Sequence, residues 1–118
     1  MGVTGRRPER LGHEIRVIIS ELMARGLKDP RIGFATVTRV EVTPDLHHAR
    51  VYVSVMGSDE EKKSTLEGLS SAAGYLRREV AHQLDLRRTP ELMFVPDHGA
   101  EAADRIDVLL RQIREDGS

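Results

Sequence analysis

Arginine is the residue of this chain with the most chemistry to offer, and that chemistry is the recognition of phosphate. It far outnumbers lysine, and its planar guanidinium meets phosphate oxygens through paired N–H donors and stacks on nucleobases. The candidate RNA-binding cations fall in three groups: Arg6, Arg7 and Arg10 near the start, Lys28, Arg31 and Arg39 in the middle, and Arg77, Arg78, Arg87 and Arg88 further on. A net charge of −1 hides this distribution. Residues 1–50 carry +3 and residues 75–90 carry +2, offset by −2 over 51–74 and −4 over 91–118. A phosphate backbone responds to the local field and not to the sum.

No comparable pattern points to catalysis, so no catalytic residue, metal ligand, cofactor or small-molecule substrate is assigned. His13, His47, His48, His82 and His98 are scattered, and neighbours such as His47 and His48 in a strand face opposite ways. No G-x-S-x-G elbow, Walker loop or dinucleotide-binding glycine run occurs. The run Asp59-Glu60-Glu61 suits a helix start, where the macrodipole favours negative charge. Cysteine is absent, which removes disulfides, thiolate nucleophiles and thiolate-bound zinc. With no apolar leader or membrane-length run, a cytoplasmic protein without a membrane partner is expected. The aromatic residues are Phe34, Tyr52, Tyr75 and Phe94, and both phenylalanines are expected in the core. Recognition of backbone and shape is therefore expected to dominate over base stacking.

These side chains need a scaffold, and 118 residues can bury one core but no second lobe. Residues 1–7 read as a flexible basic arm, 8–113 as a single domain and 114–118 as a frayed tail. Pro8 suits the first turn of a helix. Leu11, Ile15, Ile18, Ile19 and Leu22 then recur at helical spacing, and Gly26 suits a left-handed cap. Residues 34–42 are rich in β-branched side chains and predict a strand whose mixed phase implies a bulge or two partly covered faces. Thr43-Pro44-Asp45 predicts a turn. Ala49, Val51, Val53 and Val55 alternate with outward residues in a second, antiparallel strand.

Ser58 and Glu61 fit a capping box. Behind them, Leu66, Leu69, Ala73, Leu76, Val80 and Leu84 predict one long helix over about 59–84, interrupted at Ala72-Ala73-Gly74, where Gly74 is expected to permit a kink. Leu92 to Val95 predict a third strand. Ala103, Ile106, Leu109, Leu110 and Ile113 predict a last helix. The order α-β-β-α(kinked)-β-α predicts an α+β fold with helices on one face of a three-stranded sheet.

An RNA-binding KH module carries a G-x-x-G loop between two helices. Here the only literal match is Gly2 to Gly5, and Ala72-Ala73-Gly74 stands where the loop belongs. In this the chain resembles the ribosome-binding factor A family. Asp29-Pro30-Arg31, Thr36 to Val40, Ala49 to Ser54, Ala72 to Arg77, Leu86 to Leu92 and Arg105-Ile106 carry the resemblance in order across about residues 6–110. It implies a type II KH-like topology and a non-enzymatic assembly factor that binds the 30S subunit during late maturation of 16S rRNA, especially in the cold; separately, a monomer is expected. A protein–protein adaptor on the same fold, without RNA contact, is the alternative that the acidic C-terminal segment favours.

Overall fold

The computed structural model describes residues 7–97. Arg6 and the last helix expected from Ala103 to Ile113 lie outside them, as do most of the arm and the tail. The described elements are α1 (Pro8–Ala24), β1 (Ala35–Val42), β2 (His48–Val55), α2 (Asp59–Ser71), α3 (Ala73–Leu84) and β3 (Glu91–Pro96). β2 is central, antiparallel to β1 and parallel to β3. This is the type II KH-like arrangement, with the helices covering one face of the sheet.

The hairpin shows how the irregular phase of the first strand is resolved. Val37 faces Val53, but Arg39 then faces Tyr52, so Thr38 is the extra residue of a bulge. Ala35 and Val37 point inward before it, and Val40 and Val42 after it. Without the bulge, alternation would send one pair to solvent. The Thr38 hydroxyl hydrogen-bonds to the Tyr52 carbonyl at 3.2 Å and to the Asp97 carboxylate. At the hairpin turn, Thr43 Oγ1 donates to Asp45 Oδ1 at 2.6 Å, and Asp45 accepts from the His47 amide at 2.9 Å. Leu46 takes a φ of 65° there, a left-handed conformation that costs roughly 1–2 kcal/mol; its side chain packs against the core.

All five stripe residues of α1 are buried, and with Val37 of β1, Ala49, Val51 and Val53 of β2 and Leu69, Leu76 and Val80 they form the core. Each such aliphatic burial stabilises the fold by roughly 1.5–3 kcal/mol. Gly12 lets α1 lie this close to the sheet: a Cβ there would sit 2.6 Å from the Val40 carbonyl oxygen. Phe94 packs on the core as expected. Phe34 does not; it is 85% exposed, because Ala35 takes the inward place and strand alternation turns Phe34 outward.

The long helix is two helices. The capping box is present, with the Glu61 amide donating to Ser58 Oγ at 3.2 Å and the Ser58 amide donating to Glu61 Oε1 at 3.0 Å. Hydrogen bonding from Ser58, its amide first and its hydroxyl second, holds the Glu61 carboxyl below its usual range. The break falls at Ala72, whose φ and ψ of −86° and −2° lie at the edge of the right-handed helical region. Gly74 was expected to make the kink, and the structure corrects this. It lies in α3 with an ordinary negative φ, and a Cβ on it would meet nothing within 4 Å. Glycine is not required at 74.

The segment between α1 and β1 packs tightly against α2 just before this break. Gly68, on α2, is so close to it that a Cβ would lie 2.7 Å from Ile32 Cγ1 and 3.3 Å from Arg31 Cβ. Thr65, buried, donates to the Arg31 carbonyl at 3.3 Å and accepts from the Gly33 amide at 3.2 Å. Arg31 Nη2 reaches Ser71 Oγ at 2.9 Å. Residues 29–33 thus form a strap along the last turns of α2.

Candidate nucleic-acid interface

The candidate cations separate by what each already binds. Arg31 chelates Asp29, its own strap neighbour, with Nε and Nη2 at 2.6–3.2 Å. Hydrogen bonds from the Arg31 side chain and amide lower the Asp29 carboxyl to about 2. Arg77 gives both Nε (3.1 Å) and Nη2 (2.7 Å) to the Thr89 carbonyl, pinning α3 to the approach to β3, where Thr89 and Pro90 are buried. Arg39 lies 4.0 Å from the Tyr52 ring centroid and 3.4 Å from Glu41, which also accepts from the Tyr52 hydroxyl at 2.8 Å. That trio occupies the open face of the sheet. Arg31, Arg39 and Arg77 therefore carry structural contacts, and their positive charge is partly spent within the chain.

The others are more available. Arg10 faces Glu14 only at 3.9 Å, with 78% of its side chain exposed. Arg88 Nη1 approaches His47 Nε2 at 3.4 Å. Arg7, Lys28, Arg78 and Arg87 are exposed and form no ion pair among the described residues. Arg87 and Arg88 border a cavity of about 410 Å³ shared with Leu11 and the hairpin turn Asp45 to His47. They therefore sit near the start of α1, with Arg10 one residue from Leu11. Lys28 belongs to the opposite end, in a cleft of about 820 Å³ between the strap and the α2–α3 junction. Arg78 lies between, on α3, whose 12 residues span about 18 Å.

The structure thus gathers Lys28, Arg78, Arg87 and Arg88 along α3 and its two ends, while Arg39 lies across the sheet. Arg25 and Arg50 are also exposed and without an ion pair among the described residues, and Tyr75 is 45% exposed in the larger cleft. For Tyr75 the sequence held a signal. It sits one side of the Leu76-Val80 stripe and three residues before Arg78, on a helix face that the core does not use.

Comparison with known proteins bears on what this surface is for. The family model described as ribosome-binding factor A matches residues 7–110. The chain belongs to the ribosome-binding factor A family. It is 50% identical over 108 residues to ribosome-binding factor A of Geobacter metallireducens, covering 92% of each chain. To that of Anaeromyxobacter dehalogenans it is 51% identical over 115 residues, covering 97% of this chain and 83% of the relative. Among solved structures, a solution structure from Thermotoga maritima matches with a TM-score of 0.70 and 39% identity, over 84% of this chain and 93% of the other. A Thermus thermophilus ribosome binding factor A fitted into a cryo-EM map of its 30S complex matches with a TM-score of 0.62 and 30% identity, over 76% and 94%. The family relatives named here are binding factors; none of their names is that of an enzyme. Among the described residues no helix is long and apolar enough to cross a membrane, and no cluster of metal-ligating side chains occurs.

Proposed function

We propose that this chain binds the 30S ribosomal subunit through its 16S rRNA in the cytoplasm, and assists late maturation of that RNA without catalysing a reaction. The observation that carries the reading is the likeness, at 30% identity and a TM-score of 0.62, to the Thermus thermophilus factor fitted in its 30S complex. The array of Lys28, Arg78, Arg87 and Arg88 supplies a physical means. Lys28, Arg78 and Arg87, which form no ion pair among the described residues, can neutralise phosphates without first breaking such a contact. A rigid domain gripping phosphates at both ends of α3 favours the rRNA arrangement that presents them at that spacing. It shifts the equilibrium only by its differential affinity for the two arrangements.

Sucrose-gradient sedimentation tests this. The protein should travel with free, immature 30S subunits at low salt and be absent from 70S ribosomes. Recovery only at the top of the gradient would refute the proposal. Co-sedimentation insensitive to salt would favour the adaptor alternative, in which a protein contact holds the subunit.

A further inference from the structure

The larger cleft combines an aromatic ring, apolar side chains and a free cation in one lining. Leu27 and Pro30, between α1 and β1, line the cleft together with Ala72 at the helix junction and Tyr75 of α3, around a volume of about 820 Å³. Tyr75 is 45% exposed although it adjoins the fully buried Leu76. The ring is therefore left open to a ligand and not absorbed into the core. Lys28 lines the same cleft, Arg25 precedes it at the end of α1, and Arg78 follows Tyr75 by three positions on α3. None of these three cations has an ion pair among the described residues. The one carboxylate in the lining, Asp29, is already chelated by Arg31, with contacts of 2.6–3.2 Å, so it does little to repel an anion. The main-chain groups of Leu27 and Lys28 are not used in hydrogen bonds among the described residues and are available to the edge of a base.

An aromatic face, apolar walls and the unpaired Lys28 in the lining, with Arg25 and Arg78 within three positions of lining residues, fit a nucleotide better than an apolar protein side chain, which would have no use for the charge. We infer that this cleft takes one unpaired nucleotide of RNA, its base stacked on Tyr75 and its phosphates held by Lys28 and Arg78. The inference rests on the RNA-binding reading above and narrows it. A base in a duplex is stacked on both faces and cannot enter, so the slot would select RNA with an unpaired or bulged residue. In a KH loop the backbone clamps the sugar–phosphate chain; here the recognition element would be a side-chain platform beside the helix junction.

Tyr52 and Tyr75 are the only tyrosines and there is no tryptophan, so in the full chain carrying Tyr52→Phe the intrinsic emission comes from Tyr75 alone. The probe is a short single-stranded oligoadenylate, compared with the same strand in a duplex. Emission should be quenched by the single strand and not by the duplex. Tyr75→Leu keeps apolar bulk for folding but removes the π face; by labelled-oligonucleotide anisotropy it should weaken single-strand binding about 5- to 150-fold, the range that base–aromatic stacking supplies. Unchanged emission together with unchanged affinity in Tyr75→Leu would overturn the slot. If salt-sensitive binding that depends on Arg78 persisted beside that result, the RNA-binding function would stand without it. If neither RNA bound in a salt-sensitive way, the functional reading and the slot would fall together.

Discussion

Gly68→Ala should destabilise this domain, although alanine is the better helix former. Gly68 lies inside α2, where replacing glycine by alanine is worth about 1 kcal/mol in helix propensity. Against that gain stands the strap. The new methyl would lie 2.7 Å from Ile32 Cγ1 and 3.3 Å from Arg31 Cβ, and the first contact must open by about 1 Å to reach ordinary van der Waals separation. Ile32 Cγ1 is an inner methylene bonded to Cβ and not a free end, so relief of the contact falls largely on the strap backbone. Overpacking of this kind costs about 1–3 kcal/mol. Retreat of the strap also stretches the bonds from Arg31 to Ser71 and from Gly33 to Thr65, now 2.9 and 3.2 Å, each worth about 0.5–1.5 kcal/mol. The net expectation is a loss of about 1–3 kcal/mol.

Gly74→Ala is the control, six residues on and across the junction. With nothing within 4 Å of its Cβ and no positive φ, it should be neutral or stabilising by up to about 1 kcal/mol. Urea denaturation of the three proteins measures both differences, with equal slopes required for the comparison. Should Gly68→Ala prove as stable as wild type, the strap does not bear on α2 as described. A loss in Gly74→Ala would show that the glycine sets the junction after all.

Other outcomes follow from the same contacts. Gly12→Ala meets a carbonyl oxygen at 2.6 Å and must push α1 off the sheet, so urea melts should show a loss of at least about 1 kcal/mol after the helix gain is subtracted. Hydrogen bonds from the Arg31 side chain and amide hold the Asp29 carboxyl at about 2 in the folded chain, below the usual carboxylate range. Its depressed value means that the strap clamp is fully present above about pH 4 and is lost as pH falls towards 2; a pH series of stability should show this acid step shrink in Asp29→Asn. Arg78→Glu should weaken 30S binding at unchanged melting temperature. If about five phosphates are neutralised, the wild-type slope of log affinity against log salt should be about −3.5 to −4.5, and this variant should reduce it by about one.

What was legible in the sequence was everything governed by short-range periodicity or local hydrogen bonding. The α1 stripe, the β2 alternation and the Ser58–Glu61 box each depend on residues within a turn or a pleat of one another, and each is found where the spacing put it. The misreadings involve partners far apart in the chain. Phe34 is aromatic and looked like core, but its direction is set by the phase of β1, which depends on pairing with β2. Gly74 looked like the hinge because glycine is the permissive residue, whereas the glycines under steric demand are Gly12 and Gly68, whose neighbours Val40 and Ile32 are 28 and 36 positions away. The cations divide the same way. Nothing near Arg77 in sequence announces that it will cap the Thr89 carbonyl, or near Arg31 that it will reach Ser71, 40 residues on. A basic cluster read from sequence mixes arginines that build the surface with arginines that use it. Charge reversal at Arg77 would therefore lower binding by damaging the fold, and only positions such as Arg78 and Arg87 can report on RNA contact itself.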